Sequence, residues 1–200
     1  MINFKRFFTE NVKPRKYVVL LPGGFKPPTL GHYHLIKSYN EHPDVEKVFV
    51  LIGPKEREGV TREQSLRLFE LYGITRMPKV SVVKIAEDNP MFSAFNFVEN
   101  NPQASEYTNS IFGMGSSDKE GDNIRSLKFE KYFRMNPSKL PRGVRVGIPP
   151  IIPSQKIASG KDVSATALRN AIKTQNLLEV QSLIPPHVKA QEFLNVFKHK

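Results

Sequence analysis

Short runs of apolar, β-branched residues alternate along the chain with segments whose apolar residues recur at helical spacing. The runs predict buried strands, and the recurring spacing predicts amphipathic helices. Predicted strands cover residues 17–21, 47–52, 80–85, 110–114 and 144–152, and predicted helices cover 31–39, 61–72, 91–98 and much of the chain from 164 onward. This alternation predicts an α/β fold, with a parallel five-stranded sheet and helices on both faces. Ligands are then expected at the carboxyl ends of the strands.

Capping and stop signals in the sequence support the predicted helix boundaries. A separate segment, residues 118–142, is not predicted to form a strand of the sheet. Thr61-x-x-Gln64 is a capping-box pattern, and Gly73 provides a stop for the helix that begins there. Residues 118–142 are polar and basic, with a weakly helical centre at 127–133. We interpret this segment as a mobile excursion that borders the binding site.

The first 14 residues form a basic amphipathic segment, which we separate from a domain spanning residues 15–200. The segment lacks the apolar stretch and cleavage site of a secretory signal. Two interpretations stay open. The favoured one is a helix lying on the domain surface. The other is a short leader ending in Glu10, similar to those that send proteins into the capsids of tailed bacteriophages, which would make the protein virus-encoded and virion-associated.

Charge and composition narrow the range of partners. The 200 residues carry 30 Lys and Arg against 19 Asp and Glu, a net charge of +11 that favours nucleotides, nucleic acid or anionic lipid. No apolar stretch approaches the roughly 20 residues of a membrane span, so none is expected. The chain has no cysteine, which excludes disulfides and thiolate chemistry and fits a reducing, cytoplasmic location. A homo-oligomer stays open, and no clustering of ligand residues predicts a metal site held by the protein.

A Gly- and Pro-rich loop follows the first predicted strand and leads into a helix. Its sequence is Gly23-Gly-Phe-Lys-Pro-Pro-Thr-Leu-Gly-His32. Gly23 and Gly24 allow another molecule to approach the backbone closely. Thr29 and His32 place a hydroxyl and an imidazole at the helix start, where backbone N–H groups attract an anion. The loop therefore predicts a phosphate site.

A second segment near the C-terminus, Val163-Ser-Ala-Thr-Ala-Leu-Arg169, provides another helix start with hydroxyls and a cation. Together, in this order and about a domain apart, the two segments resemble the paired motifs of the nucleotidylyltransferase superfamily. Those motifs are a His-x-Gly-His or Thr-x-Gly-His loop and an Ile-Ser-Ser-Thr-x-x-Arg helix start. The resemblance covers roughly residues 15–198 and implies a Rossmann-like domain that binds a triphosphate where the strand order reverses.

The resemblance also implies a reaction. Members of this superfamily transfer AMP or CMP from ATP or CTP to a small phosphorylated acceptor, such as nicotinamide mononucleotide or a phosphopantetheine-like compound, and release pyrophosphate. Mg²⁺ would be carried by the triphosphate. Adenylyl transfer is preferred, because Gly-x-Phe-x-Pro followed by x-x-Gly-His is more similar to the adenylyltransferase branches. Such chemistry requires aligned anions and neutralised charge rather than an enzyme nucleophile.

Catalytic and acceptor-binding roles follow from the same resemblance. His32 would stabilise the transition state, and Thr29 stands where many members have a first His. The catalytic set is His32, Thr29, Lys26 and Arg169, and the cations expected to bind the acceptor are Lys55 and Arg57. A plain exposed Lys is nearly as common at the position of Lys26, and basic loop residues are common in general. His34, two residues after His32, is assigned to the core or the surface.

The expected nucleotide-binding set is Gly23, Gly24, Phe25, Gly31, Gly113, Gly115, Asp118, Val163, Ser164 and Thr166. Gly113 and Gly115 would let the base or ribose lie on the backbone, and Asp118 would accept from a hydroxyl. The alternative is a tight strand–helix turn in which Asp118 caps the helix. Ala165 replaces the second Ser of the superfamily motif, which predicts weaker rather than abolished phosphate binding.

Two other classes of function stay open. A non-catalytic nucleotide- or nucleic-acid-binding protein, including a virion-associated one, would keep the fold and use its positive charge. The intact Thr29, His32, Ser164 and Arg169 argue against it. A ligase that activates a carboxylate with ATP would attack the same α-phosphorus. Class I aminoacyl-tRNA synthetases share the first motif, but they use a Lys-Met-Ser-Lys-Ser loop that this chain lacks.

Overall fold

The computed structural model describes residues 15–118, 120–157, 160 and 163–198, so the predicted N-terminal segment 1–14 lies outside the described residues. The strands are β1 (Tyr17–Gly23), β2 (Val45–Ile52), β3 (Val80–Lys84), β4 (Ile111–Met114) and β5 (Arg145–Val146). The helices are α1 (Leu30–Glu41), α2 (Arg62–Leu71), α3 (Pro90–Asn100), α4 (Pro102–Ser105), α5 (Glu120–Met135), α6 (Ala165–Lys173), α7 (Leu177–Leu183) and α8 (Ala190–Asn195).

The five strands form one sheet in the order β3-β2-β1-β4-β5, and every neighbouring pair is parallel. From β1 the chain builds outward through β2 and β3, then returns to the other side of β1 for β4 and β5. The strand order therefore reverses between β1 and β4, where the helices that follow these strands diverge and leave a crevice. The predicted Rossmann-like fold is confirmed.

Alternate residues of the central strand face two separate hydrophobic cores. Val19 and Leu21 pack with α1, α2, α6, α7 and α8 on one face of the sheet. Val18 and Leu20 pack with α3, α4 and α5 on the other face. Because both faces are covered, the strands are nearly continuous apolar runs, as buried parallel strands require. Among the described residues, no helix combines the length and apolar character needed to cross a bilayer.

Two sequence predictions are wrong, one about the length of a strand and one about a segment outside the sheet. The fifth strand was expected over 144–152 but covers Arg145–Val146 alone, because Pro149 and Pro150 have no N–H to donate to a neighbouring strand. The supposed excursion at 118–142 contains the 16-residue helix α5. This helix packs on the sheet through Phe129 and Phe133, which are fully buried, and so it is a structural layer of the domain.

Tyr39 ties α1 to the chain beyond β4. Its fully buried hydroxyl donates to the carbonyl oxygen of Pro150 (2.7 Å) and accepts from the N–H of Ser116 (3.0 Å). Burial raises the pKa of this phenol to about 12, so it remains protonated and keeps its donor. The contact joins α1, which begins in the predicted phosphate loop, to the loop that follows β4.

We expect Tyr39→Phe to lower the free energy of unfolding by about 1.5 kcal/mol, because it leaves a buried N–H and a buried carbonyl without their partner. Urea unfolding followed by circular dichroism measures the change. The matched control is Tyr107→Phe, which removes a hydroxyl from a ring that is only partly buried against the second core. Equal stability of the two variants would contradict a structural role for the Tyr39 hydroxyl.

Candidate active site

A cleft of about 300 Å³ opens at the carboxyl ends of β1 and β4, where the strand order reverses. Its walls come from the β1–α1 loop, the loop after β2, the N-terminal half of α5 and the start of α6. The lining residues include Gly23, Gly24, Phe25, Lys26, His32, Arg57, Gly115, Asp122, Arg125, Ala165 and Arg169. Cations outnumber carboxylates in this set, since it has one Lys and three Arg against Asp122, the one carboxylate among the described lining residues.

Helix α1 begins through a capping box built around Thr29. Pro27 and Pro28 favour extended backbone ahead of the helix, and Thr29 is itself extended (φ −113°, ψ 172°). Its hydroxyl accepts from the backbone N–H of His32, and the backbone N–H of Thr29 donates to Nδ1 of His32 (3.0 Å). His32 therefore occupies the position that Glu or Gln takes in the usual capping box.

This contact decides which ring nitrogen of His32 carries a proton in the neutral imidazole. A backbone N–H can only donate, so Nδ1 must accept from Thr29 and the hydrogen resides on Nε2. The imidazole of His32 lines the cleft. A local helix cap thus orients the ring and places its proton on Nε2, and an N–H is the kind of group that can donate to a phosphate oxygen.

Phe25 packs against the imidazole and holds it in place. Its ring meets that of His32 edge-on at a centroid distance of 5.0 Å, and that of Phe69 at 5.3 Å. The backbone of Phe25 has φ 50°, a left-handed conformation that bulky residues rarely adopt. Strained backbone of this kind is concentrated at functional sites. Phe25 is buried, although it is among the residues that line the cleft.

The two sequence motifs lie side by side. A Cβ on Gly31, at the start of α1, would lie 3.6 Å from Cβ of Val163 in the second motif. In the first motif, a Cβ on Gly23 would come within 2.9 Å of the Phe25 ring, so this glycine allows the loop to fold back on itself. Gly24 lines the cleft, and its Cβ position is clear except for Lys26 at 3.9 Å.

The second motif begins α6 and buries a guanidinium. The hydroxyl of Ser164 caps the helix by accepting from the N–H of Ala167 (3.4 Å). The Arg169 side chain is only 3% exposed, although it lines the cleft. Its Nη1 donates to the Lys26 carbonyl oxygen (3.0 Å) and its Nη2 to Oγ1 of Thr166 (2.9 Å). Arg169 therefore joins the second motif to the first.

Lys26 is buried rather than exposed, and its ammonium is engaged by the protein. Its Nζ donates to the carbonyl oxygens of Gly53 (2.9 Å) and Lys55 (2.6 Å) in the loop after β2. Burial is the main cause that lowers the pKa of Lys26, followed by the nearby charge of Arg62. Because an ammonium has three donors, the third stays compatible with a phosphate contact. Lys26 also fixes the loop that carries Lys55 and Arg57.

The loop after β2 presents the two cations predicted to bind an acceptor. Arg57 lines the main cleft. Lys55 is exposed and lines a smaller recess of about 40 Å³ that shares Gly23, Gly24 and Lys26 with the cleft. The structure thus brings both residues to the rim of the site, and their contact with an acceptor stays a prediction.

The residues predicted to contact the base and ribose of a nucleotide, Gly113, Gly115 and Asp118, lie in three different environments. A Cβ on Gly113 would lie 2.5 Å from Pro149 and 2.6 Å from the carbonyl oxygen of Gly147, so packing of the next segment explains that glycine. Gly115 lines the cleft, and its Cβ would collide with Leu21 at 2.5 Å. Asp118 is exposed and accepts from the backbone N–H of Ser154 (2.9 Å). Hydrogen bonds from the side chain and then the backbone of Ser154 lower the pKa of its carboxyl. A nucleotide contact of Asp118 stays a prediction.

Sequence reasoning missed two charged residues of the cleft, Asp122 and Arg125, both from the first turns of α5. Asp122 accepts from the hydroxyl of Ser117 (2.7 Å) and from the guanidinium of Arg125. The spacing of three residues put both side chains on one helix face, but α5 has weak amphipathic periodicity. No signal in the sequence indicated which face meets the cleft.

A second cleft of about 180 Å³ adjoins the first across His32 and Asp122. Its walls carry Thr29, Gly31, His34, Ser117, Ser154, Gln155 and Val163. His34 was assigned to the core or the surface, and it in fact lines this cleft. Two adjacent clefts that share the imidazole of His32 could hold two ligands next to each other.

Protein ligands for a metal ion are sparse in the described part of the chain. Within it, no three His, Asp or Glu side chains are grouped closely enough to hold an ion. A divalent cation that enters with a bound phosphate ligand would need few ligands from the protein.

Solved structures with this architecture bind nucleotides. Plasmodium falciparum nicotinic acid mononucleotide adenylyltransferase complexed with NaAD superposes with a TM-score of 0.56 at 14% identity, covering 93% of this chain and 99% of that one. A bifunctional NMN adenylyltransferase/ADP ribose pyrophosphatase from Francisella tularensis, complexed with AMP and a Mn ion, gives 0.55 at 15% identity, covering 92% and 51%. No protein-family model and no curated sequence matches the chain. At this identity, the likeness establishes the fold.

Proposed function

We propose that this protein is a nucleotidylyltransferase that transfers AMP from ATP to a small phosphorylated acceptor and releases pyrophosphate. One observation carries the proposal: the N-termini of α1 and α6, the Nε2–H donor of His32 and the guanidinium of Arg169 converge on one cleft. The preference for adenylyl over cytidylyl transfer is supported by the structural neighbours, which are adenylyltransferases by name.

The cleft is suited to a polyphosphate. Helix N-termini present backbone N–H groups and a partial positive charge, and both favour an anion. The side chains of Arg57, Arg125 and Arg169 add full positive charges. The carboxylate of Asp122 offsets one of these charges, because it is paired with Arg125. In a partly enclosed cleft these charges act through a lower effective dielectric than water and are correspondingly stronger.

The proposed reaction needs no covalent enzyme intermediate. An oxygen of the acceptor phosphate attacks the α-phosphorus of ATP, a new P–O bond forms, and the bond to the bridging oxygen of the β-phosphate breaks. The electron pair of that bond leaves with pyrophosphate. His32 stabilises the charge that develops on the phosphate oxygens by donating from Nε2, and the cationic walls hold the two anions together against their repulsion.

Mg²⁺ would be carried into the site by the triphosphate, where it neutralises charge and orients the phosphate chain. Asp122 is the one carboxylate among the described residues that line the cleft, which fits a cation held mainly by the nucleotide and water. The protein's part is then to bind and align, with Thr29, Ser164 and Thr166 at the helix starts and Lys55 and Arg57 at the acceptor side.

Pyrophosphate release tests this proposal directly. The full chain is incubated with Mg²⁺, with ATP or CTP, and with single acceptors from a panel of phosphorylated and carboxylate compounds. We expect release with ATP and one phosphorylated acceptor, and product mass then identifies both substrates. Release only with a carboxylate acceptor would establish a ligase instead. Tight binding of nucleic acid that weakens steeply with salt, without any binding of ATP, would contradict the enzyme and favour a binding protein.

A further inference from the structure

A tight turn after β2 places Glu58 beside the buried Arg169. The backbone groups of Arg57 and Val60 bond to each other in both directions (3.1 and 3.0 Å), which closes the turn. Glu58 and Gly59 between them have φ 50° and 82°, the pair of positive values that defines a type I′ turn. Gly, Asn and Asp favour the first of these positions, and Glu does not. Backbone strain of this kind persists only where surrounding contacts hold it in place.

The side chain of Glu58 makes a two-armed ion pair. Oε1 of Glu58 lies 2.9 Å from Nε of Arg169, and Oε2 lies 3.0 Å from Nζ of Lys173, one turn further along α6. The hydrogen bond from Lys173, together with the charge of Arg169, lowers the pKa of the Glu58 carboxyl, which therefore stays ionised. A guanidinium that is 3% exposed needs a counterion, because an unpaired buried charge is strongly unfavourable.

Glu58 lies outside the cleft whereas Arg169 faces it. Arg169 and Arg57 belong to the cleft walls, and Glu58 is not among the described residues that line them. In the described part of the chain, Glu58, the Lys26 carbonyl and Thr166 take three of the five N–H groups of Arg169. The other two N–H groups have no hydrogen-bond partner among the described residues, and the contact with Glu58 restricts the orientation of the guanidinium at the cleft wall.

We infer that Glu58 is a positioning residue, whose carboxylate holds the guanidinium of Arg169 from outside the cleft in the orientation that binds the polyphosphate. This inference rests on the proposed function. The turn after β2 lies outside both sequence motifs. Through Glu58, it links Arg169 of the second motif to the loop that carries Lys55 and Arg57. Glu58 acts through Arg169 and does not itself contact the substrate.

The inference predicts an effect opposite to that of simple electrostatics. Removing a negative charge near an anion site should strengthen anion binding. If Glu58 orients Arg169, its removal should weaken binding instead. Glu56 provides the matched control, because it is an exposed residue of the same loop with the same charge, and it is not among the hydrogen-bond partners that Arg169 has in the described chain.

Calorimetric titration of the full chain with inorganic pyrophosphate and Mg²⁺ tests the inference. We expect Glu58→Gln to raise the Kd about tenfold and Glu56→Gln to leave it unchanged or lower. Glu58→Asp, which keeps the carboxylate on a shorter side chain, should lie between Glu58→Gln and the wild-type chain. In an Arg169→Ala background, Glu58→Gln should have no further effect, because the group through which it acts is gone.

The outcomes separate the two proposals. Binding by Glu58→Gln that is as tight as that of Glu56→Gln would overturn the positioning role and leave the proposed function intact. A wild-type chain that binds neither pyrophosphate nor ATP would overturn both. Weaker binding by Glu58→Gln that persists unchanged in the Arg169→Ala background would show that Glu58 acts by another route. Circular dichroism of each variant confirms that the fold is retained, and Glu58→Asp still tests the role if Glu58→Gln unfolds.

Discussion

Replacing His32 by Ala should lower kcat for pyrophosphate release by about 10²–10³-fold, the usual cost of losing one donor to a developing negative charge. The expectation follows from the capping geometry, in which Thr29 fixes the proton of the neutral imidazole on Nε2. His32→Gln keeps an amide N–H near that position and should retain more activity than His32→Ala. The measurement is kcat for the acceptor that the release assay identifies, at saturating ATP.

The same substitution also removes a helix cap, and this effect has to be separated from catalysis. Helix α2 contains an equivalent capping box, in which Oε1 of Gln64 accepts from the N–H of Thr61 (2.9 Å). Gln64→Ala should therefore cost about the same stability as His32→Ala, roughly 1 kcal/mol, while leaving kcat unchanged. If the two variants lose equal activity, His32 is a cap and nothing more.

Gly113→Ala should lower the free energy of unfolding by about 3 kcal/mol, since overpacking in a rigid core costs about that much. The added Cβ would lie 2.5 Å from two ring carbons of Pro149 and 2.6 Å from the carbonyl oxygen of Gly147. Backbone and a proline ring cannot rotate away as a flexible side chain can. For a domain of this size, the loss corresponds to a fall in Tm of roughly 6–12 °C.

Gly121→Ala is the matched control for this prediction. A Cβ at Gly121 meets nothing within 4 Å, and the residue lies in the first turn of α5, where Ala is the better helix former. Its Tm should be unchanged or slightly higher. Thermal unfolding by circular dichroism decides the comparison. A Gly113→Ala protein with a normal Tm and weakened ATP binding would show that Gly113 serves the nucleotide rather than the packing of β4.

Elements whose cause is local could be predicted from the sequence. The β1–α1 loop is an example, because Pro28, Thr29 and His32 specify a helix start through contacts that span only a few residues. The apolar runs of β1 and β2 likewise specify strands that are buried on both faces. Alternation of strands with helices then limited the architecture to a parallel sheet, and the structure confirms that fold.

Predictions failed where long-range packing outweighs local preference. Helix α5 has weak amphipathic periodicity, yet it forms because Phe129 and Phe133 are buried against the sheet. The segment after Arg145–Val146 looked like a continuing strand, but its prolines stop the hydrogen-bond ladder and it instead packs over Gly113. The burial of α5 depends on contacts with distant residues, whereas the prolines after β5 are a local signal that the apolar pattern outweighed in the prediction.

The sequence by itself determined the two motif loops, the order of the elements and the positive charge that favours an anionic ligand. The tertiary structure alone decided which side chains share the cleft. Lys26 bonds to carbonyls 27 and 29 residues away, and Arg169 meets Glu58 across 111 positions. Asp122 and Arg125 line the same cleft from α5, and the local sequence does not show which face of that helix meets the cleft. The physical reason is that capping and strand formation depend on neighbours in the chain, whereas pairing of buried charges depends on neighbours in space.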